Sequence, residues 1–261
     1  MSAIATYSAA TAKARAMYAK RLTPDEWRHL ESLSDVRSVA EALHQSAAWS
    51  FVEPTDDADA LCAALDAQVN DIYRRLCLYL RKERDRQYMA FFLKRKELTL
   101  SYSNEDYQAA WDCIAESYKG LSALALRKLL GAEADMLNLV YILRLRRFPA
   151  SLGEAKQHLI PVHLELKKKQ IDALLAAKDD AAVRAVLKGT PWEKSLRELS
   201  SAALDEQYRN YMESFCKKLV AGASPSAAVP VAFMMLTALD KQALVRLIRA
   251  AELGLAVPKG G

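Results

Sequence analysis

The chain has 261 residues, of which 37 are basic and 32 acidic, for a net charge of +5. The charges are interspersed, which is typical of solvated helix faces and argues against a nucleic-acid surface, because phosphate binding needs basic residues concentrated on one face. Gly is rare, with 8 residues, while Ala, Leu, Lys, Arg and Glu, which lose least on entering a helix, are abundant. We therefore predict an all-α protein.

The N-terminal part is predicted to form a series of short, capped helices. A first helix extends from about Ile4 to Leu22. Thr23 is expected to cap the second helix, with Pro24 in the first helical position. A third helix follows Asp35 and ends near Trp49.

Longer helices are predicted to come next. Asp56 and Asp57 belong to a further helix-start signal. The regularly spaced leucines that follow predict a helix that continues beyond Lys82. Gly120 and Gly131 are expected to lead into the central helix of the chain. Between the long helix and Gly120 we predict a helical hairpin built from Tyr88 to Leu100 and from Glu105 to Tyr118.

The central helix is predicted over Asp135 to Phe148, and its apolar residues cover most of its circumference, so it should be buried on several sides. Asp135 is placed in the first turn, where a carboxylate complements the helix dipole. Asn138 is interpreted as a buried amide that pairs with a neighbouring backbone and fixes register. Pro149 is expected to end the helix. The arginines at its end are Arg144, Arg146 and Arg147.

Three spaced patterns recur in the same order along the chain, which predicts a duplicated or triplicated helical module. Each pattern combines the same residue types at nearly the same internal spacing. The pairs are Val39, Leu43 and Trp49 with Val183, Leu187 and Trp192; Leu65, Asp66, Gln68 and Cys77 with Leu204, Asp205, Gln207 and Cys216; and Asp135, Leu139, Val140 and Arg144 with Asp240, Leu244, Val245 and Arg249.

The motifs do not indicate a catalytic centre, a cofactor site or a metal site. Residues 189–195 end like a phosphate-binding loop, but they lack the Gly before Lys, and Trp192 would obstruct the backbone approach. Asp179 and Asp180 are interpreted as helix-start carboxylates. The four cysteines and four histidines have no metal-site spacing, so we expect reduced thiols in a cytosolic protein.

The chain is expected to be soluble. The longest apolar run, Ala227 to Leu239, is interrupted by Pro230, whereas crossing a bilayer takes ~20 residues. Three basic clusters are present, and Lys94–Lys96 and Lys167–Lys169 are interpreted as solvated helix faces. The arginines that end the central helix are instead predicted to meet a protein partner, for which Arg is better suited than Lys.

Several of these segments resemble the C-type subunits of the bacterial V-type (A/V-type) ATPases, which are related to the d-type subunits of the eukaryotic enzymes. The resemblance is strongest from Asp135 through Asn138 to Arg144 and continues at Leu159–Val162 and Leu166–Ile171. The stretch after Pro225 resembles the last helix pair of that family. Trp49 and Trp192 stand where the family typically has Tyr, and we assign both a structural role.

The resemblance implies one domain over 1–261, built from three similar helical modules, about 1–82, 83–190 and 191–261, around a central cavity in a funnel. It implies a non-catalytic part of the rotor, a collar that couples the shaft of the central stalk to the proteolipid ring and contacts the membrane only through that ring. No cofactor, metal or nucleic acid is implied. The protein is predicted to lie in the cytoplasm, peripheral to the membrane, as part of a membrane ATPase complex.

Two other classes of protein stay open on the sequence alone. A free α-helical repeat adaptor would show the same patterns, and an all-α enzyme would need titratable groups converging in a cleft. Under the rotor interpretation, Asp135 and Asn138 hold the central helix in place. The residues expected to contact the shaft or the ring are Arg144, Arg146, Arg147, Arg246 and Arg249.

Overall fold

A computed structural model describes residues 3–93, 104–146 and 155–255 of the chain. Within these ranges the secondary structure is helical and contains no strand, so the prediction of an all-α protein is confirmed. A short 3-10 helix at Ala155–His158 accompanies the α-helices. These are α1 (Ala3–Tyr18), α2 (Pro24–Ser32), α3 (Val36–Gln45), α4 (Ala58–Cys77), α5 (Glu83–Leu93), α6 (Asn104–Ser117), α7 (Gly120–Leu145), α8 (Lys168–Ala176), α9 (Asp180–Leu187), α10 (Ser201–Gly222) and α11 (Ala228–Glu252).

The predicted helix starts at Thr23 and Asp35 are confirmed. The Thr23 hydroxyl accepts from the Glu26 amide at 3.2 Å, and the Glu26 carboxylate accepts from the Thr23 amide at 2.6 Å, which forms a capping box. The Asp35 carboxylate accepts from the Ser38 amide at 2.8 Å. Each cap satisfies amides that have no partner inside the first turn of the helix.

The predicted continuation of α4 beyond Lys82 is wrong, because α4 ends at Cys77 and α5 begins at Glu83. The Arg86 side chain donates to the Leu80 carbonyl at 3.0 Å and to the Glu83 carboxylate at 2.9 Å. The first contact gives the Leu80 carbonyl, in the turn between the helices, a hydrogen-bond partner, and the second holds the Arg86 side chain in place. Leu80 is buried although it lies outside a helix, which is why its spacing from the leucines of α4 is misleading.

The predicted start of the central helix is also wrong. Helix α7 begins at Gly120, so Gly131 and Asp135 lie in its interior and not at its N-terminus. Asp135 therefore has no first-turn position from which to complement the helix dipole, an effect confined to the end turns. Residues 94–103 and 147–154 lie outside the described ranges, and the predicted roles of Lys94–Lys96, Arg147 and Pro149 fall there.

The chain divides into two compact units. Unit 1 comprises Met1–Glu97 and Val220–Gly261, and in it α11 packs against α1, α3, α4 and α5. Unit 2 comprises Leu98–Leu219, and in it α7 packs against α6 and α8, and α8 against α9. The three modules and the central cavity expected from the resemblance remain predictions.

Helix α11 is the helix of the described residues that is long and apolar enough to cross a membrane. In its most apolar window, 72% of the residues are buried inside the protein. The core helix of a soluble protein passes the same test, and Pro230 lies in the first turn of α11, where a missing amide hydrogen costs no intrahelical bond.

Candidate partner-binding surfaces

Asp135 is a buried carboxylate of α7, in unit 2. Its side chain is fully buried, and it accepts hydrogen bonds from three consecutive backbone amides, those of Leu164 at 3.2 Å, Glu165 at 2.7 Å and Leu166 at 3.1 Å. His163 lies beside it, with Nδ1 3.9 Å from a carboxylate oxygen. Burial raises the pKa of Asp135, and the three amides act in the opposite direction. The carboxylate thereby ties the segment 159–167 to α7.

Asn138 lies one helical turn beyond Asp135 and holds the beginning of the same segment. Its amide nitrogen donates to the Ile160 carbonyl at 3.0 Å, and its oxygen accepts from the Ile160 amide at 2.8 Å. The side chain thus pairs with the backbone as a neighbouring strand would. Because the residue is 2% exposed, this double hydrogen bond satisfies groups that have little access to water.

Gly131 is the third residue of α7 that positions this segment. A Cβ atom added at Gly131 would lie 2.8 Å from the Cβ of Leu164 and 3.5 Å from both its Cα and Cζ3 of Trp111. Close approach of α7 and the segment therefore depends on the absence of a side chain at this position. The sequence indicates Gly131 as a boundary, whereas the structure places it at a packing contact.

Replacing Gly131 by Ala is expected to destabilise the protein by up to about 2 kcal/mol, because overpacking costs ~1 to 3 kcal/mol and the gain in helix propensity recovers only ~1 kcal/mol. Gly222→Ala is the matched control, since an added Cβ there meets nothing within 4 Å and the residue is the last of α10. Urea unfolding would measure both variants. Equal or greater stability of Gly131→Ala would show that Leu164 moves without cost.

The corresponding contact in unit 1 joins α11 to the residues before α2. Arg21 donates from two nitrogens to both oxygens of Asp240, at 2.8 and 2.6 Å. The side chains are 12% and 9% exposed, so this is a largely buried, bidentate ion pair. Arg15 of α1 donates to the carbonyls of Val220 and Ala223 at 2.8 and 2.7 Å, which satisfies the C-terminal end of α10.

Three of the five predicted contact arginines form ion pairs inside the protein. Arg144 pairs with Asp205 at 2.6 Å, and Arg146 pairs with Asp180 at 3.3 Å and donates to the Ala177 carbonyl. Arg249 pairs with Asp59 and with Glu252, and these contacts raise its pKa. The fourth, Arg246, is exposed and forms no ion pair with another described residue, and the fifth, Arg147, lies outside the described residues.

Trp49 and Trp192 are both buried, with 2% and 1% of their surface exposed. The Trp49 amide donates to the Ser46 hydroxyl at 3.1 Å, and that hydroxyl donates to the Leu43 carbonyl at 2.8 Å. The C-terminal end of α3 is therefore linked to the turn that carries Trp49.

An open groove of about 790 Å³ lies in unit 2, beside the segment tied down by Asp135. Leu164 and Glu165 form one side of it, residues from Pro191 to Glu198 another, and one face of α10 a third. Tyr211 and Phe215 supply aromatic surface, with their ring centroids 6.4 Å apart. No sequence pattern indicates this groove, because its walls are separated in the chain and contain no motif.

The described residues contain no group of three or more His, Cys, Asp or Glu side chains that could hold a metal ion. Each buried carboxylate among the described residues accepts a hydrogen bond from another part of the fold, and these carboxylates are Asp85, Glu133, Asp135 and Asp240. Tyr7 donates to Asp85 at 3.1 Å, and burial together with that carboxylate raises the pKa of Tyr7 to about 12. The groove and the arginines offer hydrogen bonding, ion pairing and apolar surface, which are the contacts that protein–protein interfaces use.

Comparison with known proteins gives one clear match. A family model described as the ATP synthase (C/AC39) subunit matches residues 104–258, more than half of the chain. Among curated proteins, none matches the chain. The matched range includes both buried central helices, α7 and α11, and the segment held by Asp135 and Asn138.

Proposed function

The chain belongs to the ATP synthase (C/AC39) subunit family, and on that premise we propose that it is a non-catalytic part of the central stalk of a V-type ion-translocating ATPase. In this role it is a collar between the shaft and the proteolipid ring, on the cytoplasmic side of the membrane. The observation that carries the proposal is the match over residues 104–258. Helical proteins serve many functions, so the fold alone would not carry it.

The internal contacts of each unit are consistent with a part that transmits torque. A collar must resist deformation, and stiffness comes from close packing and from buried polar contacts that specify one arrangement. In unit 2, Asp135 and Asn138 together make hydrogen bonds to four backbone amides and one carbonyl. In unit 1, the Arg21–Asp240 pair joins the core helix to the chain before α2.

Of the proposed contact arginines that the structure describes, Arg246 is the one most readily available to the shaft or the ring. It is exposed on α11. Arg144, Arg146 and Arg249 are already paired with acidic residues, so a partner would have to share these guanidinium groups or displace the carboxylates. Such exchange costs little at the pairs of Arg144 and Arg249, since an exposed ion pair is worth ~1 kcal/mol or less, whereas the Arg146 side chain is only 12% exposed.

Affinity purification of the tagged protein from its own cells in mild detergent tests the proposal. We expect the proteins of the proteolipid ring and the shaft to be recovered and identified by mass. Arg246→Glu is expected to lower their recovery, whereas Arg28→Glu, a charge reversal at an exposed residue paired with Asp25, should not. Absence of both from the purified material, with ATPase present in the same lysate, would instead indicate a free helical adaptor.

A further inference from the structure

We propose that unit 2 has a docking surface for an acidic amphipathic α-helix of a partner protein, made of the groove along α10 and an exposed apolar stripe on α7. The stripe consists of Leu121 and Leu124, each 53% exposed. The inference concerns the chemistry of this surface and does not depend on the assignment to an ATPase.

The stripe and the groove are continuous on α7. Leu121, Leu124 and Lys128 have the spacing i, i+3 and i+7, which places them on one face of the helix. Lys128 also lines the groove. An occupant that follows the groove past Lys128 therefore meets two exposed leucines, and isolated apolar residues become a docking surface when they extend a concave site in this way.

The groove fits a helix better than an extended segment. Its α10 side runs from Ala203 to Lys218, which is about 22 Å at the rise of an α-helix. The part of the chain that the structure describes offers no strand edge, so an extended occupant would gain no backbone pairing. A helix satisfies its own backbone and can place apolar side chains against Tyr211, Phe215 and the leucines of the stripe.

The charges around the surface favour an acidic occupant. The groove is lined by four cationic side chains and three carboxylates, and none of the cations forms an ion pair with another described residue. One carboxylate, that of Glu198, already accepts from the Ser200 hydroxyl at 2.5 Å. Around the stripe, residues 119–132 contain no Asp or Glu but do contain Lys119, Arg127 and Lys128. The cations of the groove are Lys128, Lys194, Arg197 and Lys218.

Binding of designed peptides to the full chain tests the proposal. The probes are three fluorescent peptides of about 18 residues, or five helical turns. The first has a leucine face flanked by Glu, the second has Lys in place of every Glu, and the third is a scrambled, non-amphipathic form of the first. We expect the acidic peptide to bind at least about tenfold more tightly than either of the others, as measured by fluorescence anisotropy.

Two exposed lysines of the groove allow a charge-reversal test. The double variant Lys194→Glu/Lys218→Glu should reverse the preference, so that the basic peptide binds more tightly than the acidic one. The control Lys178→Glu/Lys188→Glu changes the net charge of unit 2 equally at exposed positions outside the groove and should leave the preference unchanged. Leu121→Ala/Leu124→Ala should weaken binding of the acidic peptide by about tenfold, because the variant removes the apolar contacts of the stripe.

Three results would overturn the proposal. The first is that none of the peptides binds. The second is that the scrambled or basic peptide binds the unmodified protein as tightly as the acidic one. The third is that the groove variant and the control variant shift the affinities equally, which would mean that net charge and not this surface determines binding. Recovery of ATPase components in the purification experiment is independent of all three.

Discussion

Replacing Arg21 by Ala is expected to lower the free energy of unfolding by about 3 kcal/mol, because removing one partner of a buried ion pair leaves the other charge poorly compensated. Arg21 and Asp240 lie 219 residues apart and make two hydrogen bonds, at 2.8 and 2.6 Å. Their side chains are 12% and 9% exposed, so water can replace the guanidinium only in part. Urea unfolding followed by circular dichroism measures the loss.

The double variant Arg21→Met/Asp240→Leu separates the contribution of the ion pair to stability from the contribution of side-chain packing. An apolar replacement of both partners is expected to recover most of the stability, since the desolvation cost of the two charges disappears with them. Arg28→Ala is the control for an exposed pair, with Arg28 and Asp25 75% and 83% exposed, and should change stability by less than about 0.5 kcal/mol. A similar small loss in Arg21→Ala would contradict the assignment of a buried, stabilising pair.

Local signals are sufficient to predict the helix starts. Thr23, Pro24 and Glu26 form their capping box within four residues, so the information lies inside the motif. The all-helical class follows from composition and the family from the resemblance of several segments to known proteins, and both are confirmed. The end of α4 could not be predicted, because Arg86 and Leu80 determine it through contacts made after the helix has ended.

The roles of the two core aspartates could not be predicted from their neighbours in the sequence. Asp135 precedes an apolar run, which is typical of a helix start, but the helix begins at Gly120 and the carboxylate binds residues 164–166. Asp240 stands out in the sequence only by its spacing, and its partner is at the opposite end of the chain. A pairing across such distances leaves no periodic pattern in the sequence.

The two aspartates nevertheless have similar places in their units. Asp135 lies within α7 and contacts the residues that precede α8, which begins at Lys168. Asp240 lies within α11 and contacts Arg21, which precedes α2, beginning at Pro24. The spacing that relates Asp135 to Asp240 in the sequence thus selects one buried carboxylate in each unit, the first bound to backbone amides and the second to a guanidinium group, and the repeated module stays a prediction.

Replacing Asp135 by Ala is expected to destabilise the protein by about 3 kcal/mol or more, because three backbone amides lose their acceptor and an unsatisfied buried donor costs ~1 to 3 kcal/mol. The segment 159–167 should then become more mobile, with faster amide hydrogen exchange at Leu164, Glu165 and Leu166. Asp172→Ala removes an exposed carboxylate paired with Lys156 and serves as the control. Unchanged exchange rates in Asp135→Ala would show that other contacts hold the segment.

The pH dependence of the same site has a defined sign. Burial raises the folded-state pKa of Asp135 above the ordinary value of 3.8, which applies to the unfolded chain. At a pH between the unfolded-state and folded-state pKa values, the folded chain therefore binds more protons than the unfolded chain. The stability contributed by this group is therefore complete below the unfolded pKa and is lost as pH rises through the folded pKa. Relative to Asp135→Asn, which does not titrate, the native protein should gain stability as pH falls from 7 towards 4.

The comparison is best made with His163→Asn in both proteins, because the imidazole lies 3.9 Å from the carboxylate and its electrostatic effect lowers the pKa of Asp135. Glu165 and Tyr211 also face the site and are the same in both. Urea unfolding at several pH values gives the difference in free energy directly. A difference that grows in favour of Asp135 as pH rises would mean that the three amides outweigh burial, and that the ionised carboxylate is the form that the fold prefers.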